Sequence, residues 1–291
     1  MPLDIPTFNF VHCDVFATRP YSGNSLAVFT DCSGLDADQM LAMTQEFRHF
    51  ESIFLSEVDG QIHARVFDLI EELPFAGHPI IGAACTLHKQ AGTDGERRWQ
   101  IELQGGRNVS VTTNRHAGCY TGTLDQGKPE LIAMLPESEK AAIADAFNLE
   151  TSQMSDLPLE VISTGLKYLV VPVTGGLKNA RITIPDLEDK LAALGAEFAY
   201  LFDVSGFEGR HWNNDGIMED VATGSAAGVI GAYALKHRLV DPGQSVTLKQ
   251  GHFIGRPSEI LVTGFGAPND ITHVTVSGQV SFVGTGAVIA P

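Results

Sequence analysis

The sequence predicts an α+β fold built in two halves, and three observations carry that prediction. Short runs of β-forming residues dominate the chain, broken by a few segments whose apolar residues recur at helical spacing. At 291 residues the chain is long enough for two ordinary domains, with a globular balance of 44% apolar and 19% charged residues. Two stretches roughly half a chain apart also echo each other. Ala76-Gly77-His78-Pro79 leads to Gly82-Ala83-Ala84, and Thr223-Gly224-Ser225-Ala226 leads to Gly231-Ala232. Each puts a glycine and a polar residue at the entrance of a small-residue, apolar helix.

In the first half, residues 8–16 have the composition of an opening strand, and 26–29 follow the turn-rich segment 19–25 as a second. Asp36 with Gln39 makes a capping-box start, and Met40, Met43 and Phe47 give the next helix a core-facing stripe. Residues 51–55 and 64–69 read as strands. Glu72-Leu73-Pro74-Phe75-Ala76-Gly77-His78-Pro79 then reads as a strand, a tight glycine turn and a helix start. Pro79 suits a first helical turn, Gly77 offers the positive φ such turns often use, and Gly92 stops the helix. Strands over 98–103, 108–113 and 118–124 complete this half, and the polar run 125–129 reads as a linker.

The second half begins with a helical pattern over 137–147, a strand-turn at 161–165 and an apolar strand at 169–173. Asp186 caps a helix that stops at Gly195, and weaker strand signals cover 199–204 and 209–213. The small-residue helix after Thr223 runs to His237. Strands are expected over 246–250, 259–263 and 272–276, with a separate final strand near 280–283. These patterns divide the chain into domains 1–125 and 126–279, with the last strand, 280–291, able to return to the first.

A helix N-terminus presents unpaired N–H groups and a partial positive charge, so it can hold a carboxylate or phosphate. His78 stands beside one such start; taken alone, that block is equally a glycine turn with a solvent-exposed histidine. Glu51 lies where a helix gives way to an apolar strand, among Phe50, Ile53 and Phe54. Such a carboxyl is either desolvated and fit for acid–base work or an ordinary solvated acid at an element boundary. The paired helix starts are either close core packing or two facing anion sites.

The net charge of −16 argues against nucleic acid and against an anionic membrane surface. It does not exclude a small anionic substrate, because a helix terminus supplies local positive potential. No run approaches the roughly eighteen apolar residues of a membrane span. The opening 1–6 lacks the charge and apolar pattern of a secretory signal. Cys13, Cys32, Cys85 and Cys119 have no paired spacing and suit reduced thiols in the cytoplasm rather than disulfides or a metal site.

Taken in order, Asp14-Val15-Phe16, Gly23-Asn24, Glu51-Ser52, the block 72–79, Glu219-Asp220-Val221-Ala222-Thr223-Gly224-Ser225-Ala226 and Gln250-Gly251 with Gly255-Arg256-Pro257-Ser258 resemble the PhzF family of phenazine-biosynthesis isomerases. That family has the diaminopimelate-epimerase fold. The resemblance implies two similar domains, each a curled, mostly antiparallel sheet wrapped around a central helix, with an active site between them. It also implies a homodimer and no cofactor. The implied reaction is acid–base isomerisation of a small carboxylate such as trans-2,3-dihydro-3-hydroxyanthranilate. On this resemblance Glu51 is the acid–base residue, with His78 and Asp220 at the reacting centre. Gly77, Gly224 and Ser225 match the donors for the substrate carboxylate, and Asn24 matches a further polar wall. Ser25 and Val221 stand where the family commonly has proline, which returns an N–H and loosens the local backbone.

The rival activity on the same fold is a racemase or epimerase with one thiol at each helix start. Those positions here are Ala76 and Thr223, and neither moves a proton at neutral pH. A non-catalytic binding protein on this scaffold has no need of Glu51, His78 and Asp220 together.

Overall fold

The structure is a computed structural model that describes residues 6–291; the opening segment read above for a signal lies largely outside them. The chain divides into two compact units, Met1–Asp125 with Ser277–Pro291, and Gln126–Val276.

The first unit runs β1 (Thr7–Val15), β2 (Asn24–Phe29), α1 (Ala37–Phe47), β3 (Glu51–Val58), β4 (Gln61–Asp68), β5 (Glu72–Leu73), α2 (Gly77–Ala91), β6 (Gly95–Leu103), β7 (Asn108–His116) and β8 (Cys119–Gly127). The second contributes β9 (Glu130–Met134), α3 (Glu139–Ala146), β10 (Glu160–Ser163), β11 (Lys167–Val173), α4 (Leu187–Ala193), β12 (Phe198–Asp203), β13 (Glu208–Arg210), α5 (Gly224–Lys236), β14 (Ser245–Gln250) and β15 (Ser258–Ala267). A last strand, β16 (Asp270–Ile289), starts in the second unit and ends in the first.

In the first unit the strand order is β1-β2-β3-β4-β6-β7-β8-β16, and β16 also pairs with β1, so the sheet closes on itself. Inside lies α2, packed on β1, β2, β3 and β7. Eleven of its residues are buried, among them the whole run from Gly77 to Thr86, the pattern of a helix covered on every side. Complete burial of Ile80 and Ile81 contributes about 2 kcal/mol each. Close approach needs small residues: a methyl at Gly82 would overlap Leu26, and one at Gly122 would meet Ile81. Outside the sheet, α1 covers β3 and β4 through Met40, Met43, Phe29, Phe54 and Phe67.

The second unit repeats the plan. Its strands run β15-β14-β13-β12-β11-β10-β9, and α5, buried from Gly224 to Leu235, packs on β10, β11 and β15. The pairing senses repeat as well. Along β1-β2-β3-β4-β6-β7 they alternate antiparallel, parallel, antiparallel, parallel, antiparallel. Along β10-β11-β12-β13-β14-β15 the same alternation recurs. A parallel pair needs a crossover, and helices supply it at matching places: α1 and α2 in one unit, α4 and α5 in the other. The echo between the two helix starts is therefore an echo of whole units.

Several local expectations change. Gly77 is the first residue of α2 and has no positive φ; the extended cap residue Ala76 makes the turn instead. The run read as a linker is partly strand, since β8 continues to Gly127 with Gln126 buried. Asp186 precedes α4 without a side-chain cap bond. The two closing strands are one, because Gly278 lets β16 pass against the Phe16 ring, where any side chain would collide. The capping box of Asp36 and Gln39 and the left-handed Gly92 form as expected.

Candidate active site

In the first unit, three of the expected residues come together. Asn24 opens β2, Glu51 opens β3 and His78 is the second residue of α2. The register of the parallel pair sets Glu51 beside Leu26, two residues along from Asn24. His78 Nδ1 lies 3.3 Å from Glu51 Oε2 and 3.4 Å from Asn24 Nδ2. The residues are 8%, 3% and 1% exposed in the order Glu51, His78, Asn24. Glu51 is thus a desolvated acid and not a solvated boundary residue, and His78 is buried and not a solvent-exposed turn residue. His78 Nδ1 faces a donor and a carboxylate at once, and it can serve only one of them at a time. Donating to Glu51 needs a proton on Nδ1; accepting from Asn24 needs that proton gone. The arrangement can therefore pass one proton between carboxyl and imidazole.

The loop before Asn24 is held from β1. Asp14 Oδ2 accepts the Tyr21 N–H at 2.7 Å, and the Ser22 hydroxyl donates to the Arg19 carbonyl at 2.8 Å. Gly23 has φ +65°, and a methyl there would strike the Val15 carbonyl, so only glycine fits the turn. The Ser25 hydroxyl, at a position where the resemblance has proline, lies 2.6 Å from His49 Nδ1.

In the second unit, Asp220, Gly224 and Ser225 gather at the start of α5, where Thr223 is the cap residue. Asp220 Oδ2 accepts the Thr223 hydroxyl at 2.7 Å. Ser225 Oγ lies 2.8 Å from the Tyr168 hydroxyl. Gln126 donates to the Gly224 carbonyl and accepts the Thr164 hydroxyl, each at 2.8 Å. Neither Ala76 nor Thr223 gives its helix a side-chain cap bond, so the first-turn N–H groups of α2 and α5 are alike in lacking one. Gln126, Thr164 and Tyr168 escaped the sequence reading, because polar residues inside strands and turns carry no periodic signal.

The thiols lie elsewhere. Cys13 is on β1 and Cys85 inside α2, and burial pushes both well above the ordinary thiol value. Burial also carries Cys32 up to about 12. Such thiols stay protonated at neutral pH and do not act as bases. Among the described residues, no group of three His, Cys, Asp or Glu side chains is placed to hold a metal ion, and no helix is long and apolar enough to cross a membrane.

The family model for phenazine biosynthesis-like proteins, PhzC-PhzF, matches residues 13–286. The chain belongs to that family. A trans-2,3-dihydro-3-hydroxyanthranilate isomerase of Pseudomonas aeruginosa is 32% identical over 93% of this chain and 95% of its own. The structure of a predicted epimerase from Pseudomonas aeruginosa superimposes with a TM-score of 0.91 at 42% identity, covering 98% of this chain and all of the other. A hydroxyproline epimerase from Agrobacterium vitis, at 13% identity and a TM-score of 0.63, covers 99% of this chain and 94% of its own, and shows the shared fold alone. The protein is an isomerase of the PhzF type with an epimerase-like fold.

Proposed function

We propose that the protein isomerises a small cyclic carboxylate by moving one proton between carbons, with Glu51 as the base and acid. The observation that carries this reading is the buried Glu51 beside His78, 3.3 Å apart. Glu51 takes a proton from an activated C–H, the electrons of that bond shift along the conjugated system, and a C–H bond forms at its far end. No electron leaves the substrate, so side-chain acid–base chemistry suffices and no cofactor is invoked. His78 and Asn24 orient the Glu51 carboxyl and the polar substituents of the ring. Gly77, Gly224 and Ser225 bind the substrate carboxylate through helix-start donors, and Asp220 holds a further polar group. Trans-2,3-dihydro-3-hydroxyanthranilate heads the candidate substrates, because a relative with that name aligns along nearly the whole chain. A homodimer in the reducing cytoplasm completes the reading.

The test is turnover of that compound in D₂O, followed by NMR for deuterium entering carbon. Wild-type protein is expected to isomerise it with exchange, and Glu51→Gln to lose about 10²–10⁴-fold in kcat. Near-wild-type turnover by Glu51→Gln would sink the assignment. Exchange at the α-carbon of an amino acid, with none in the cyclic substrate, would favour the epimerase reading.

A further inference from the structure

We propose that Gln250 and Thr223 are positioning residues that hold Asp220 in one orientation, a role that rests on the part given to Asp220 above. Gln250 ends β14, is 0% exposed, and uses both ends of its amide. Its Oε1 accepts the Thr223 backbone N–H at 3.0 Å and the Tyr200 hydroxyl at 2.9 Å. Its Nε2 donates to the Asp220 carbonyl and to Thr223 Oγ1, both at 2.9 Å. The orientation of the amide is not arbitrary. A backbone N–H can only donate and a carbonyl can only accept, so Oε1 must face Thr223 N and Nε2 must face Asp220 O.

That orientation decides where the Thr223 proton points. Because Thr223 Oγ1 already accepts from Gln250, its single hydrogen goes to Asp220 Oδ2, 2.7 Å away. Thr223 occupies the cap position of α5, where a threonine hydroxyl ordinarily accepts a first-turn N–H, yet it makes no such bond. The hydroxyl serves Asp220 in place of the helix. The backbone repeats the constraint from another side. Gly251, next to Gln250, has φ +77°, and a methyl there would overlap the carbonyl of Val221, the residue after Asp220. One amide thus holds the Asp220 main chain while ordering the hydroxyl that holds its side chain.

The experiment uses the full chain with Thr223→Val, Thr223→Ser, Gln250→Glu and Asp220→Asn. In wild-type protein both Gln250 side-chain amide protons are expected to be protected from solvent exchange by ¹H–¹⁵N NMR. Thr223→Val should expose one of the two and leave the other protected. On the isomerisation substrate, Thr223→Val should lose roughly 10²-fold in kcat with KM within about threefold, as expected for a misplaced polar group, and Thr223→Ser should restore most of it. Gln250→Glu keeps the shape but removes both donors, so it should fall in kcat alongside Thr223→Val. A folded Thr223→Val with wild-type kcat, or rapid exchange of both Gln250 protons in the wild type, overturns the proposal. Asp220→Asn separates the two failures. If it is fully active, the part given to Asp220 falls and the proposal with it. If it is inactive beside a fully active Thr223→Val, the proposal alone falls.

Discussion

At the scale of single residues, glycine and glutamine do complementary work around α5. Gly228 leaves room for Gln126, whose Oε1 would overlap any methyl added there. Ordinarily Gly→Ala inside a helix stabilises by about 1 kcal/mol. Here the methyl displaces Gln126 from the Gly224 carbonyl and from the Thr164 hydroxyl, and overpacking alone costs about 1–3 kcal/mol. The clash outweighs the propensity. Gly228→Ala is expected to lower unfolding free energy by about 1–2 kcal/mol in a urea titration. An unchanged or raised midpoint would show that Gln126 can move away freely. His88 and His211 illustrate burial acting on charge. Each is held neutral, His88 and His211 alike being lowered from 6.5 chiefly by loss of hydration. His88 lies between Thr113 Oγ1, at 2.8 Å, and the Thr93 carbonyl, at 3.1 Å.

At the scale of elements, the far end of α5 is anchored by charge. Glu160 on β10 is 1% exposed and accepts from Lys236 Nζ at 2.9 Å and from His237 Nε2 at 3.2 Å. Burial raises its pKa, but the bonds from His237 and Lys236 outweigh burial and leave it below the ordinary 4.5. The folded state therefore binds the Glu160 proton more weakly than the unfolded chain does. Its contribution is present above about pH 4.5 and is lost as pH falls below that value. Glu160→Gln leaves the Lys236 ammonium against a neutral amide. It is expected to cost about 3 kcal/mol at neutral pH by denaturant unfolding. A loss well under 1 kcal/mol would mean that Lys236 and His237 turn to water at little cost.

At the scale of the whole molecule, the first unit is discontinuous in sequence, and that has a folding consequence. Residues 277–289 of β16 lie between β1 and β8, so a fragment of residues 1–125 has two unpaired strand edges. The fragment is expected to aggregate or to melt without a cooperative transition, read by circular dichroism and light scattering. A soluble, cooperatively melting fragment would count against the closed sheet as the unit of stability. His88 and His211, buried one in each unit, respond to milder acid than Glu160 does. Their folded-state pKa values lie below 6.5, so the unfolded chain takes up protons first as pH falls. Stability is full above about 6.5 and declines below it, by at most about 1.4 kcal/mol per pH unit for each histidine. Thermal melts between pH 8 and roughly pH 5 check this, and His88→Gln should flatten the slope.

The local chemistry of this protein was legible in its sequence: the capping box at Asp36, the stop at Gly92, the small-residue helices and the family motifs around Glu51, His78 and Asp220. The first three depend on neighbours within a few residues, so spacing records them; the motifs carry the family, which the match over residues 13–286 shows. Ala76 and Thr223 at the helix starts already spoke against paired thiols, and the buried, protonated Cys13 and Cys85 agree. Tertiary structure alone decided the rest. Gln250 meets Thr223 from 27 residues away, Gln126 meets Gly224 from 98, and β16 meets β1 across the whole length of the chain. A polar residue in a strand looks the same in sequence whether it faces water or a buried partner. Only the folded sheet, by bringing distant strands to one helix start, turns Gln250 from a strand-end amide into the residue that orients Asp220.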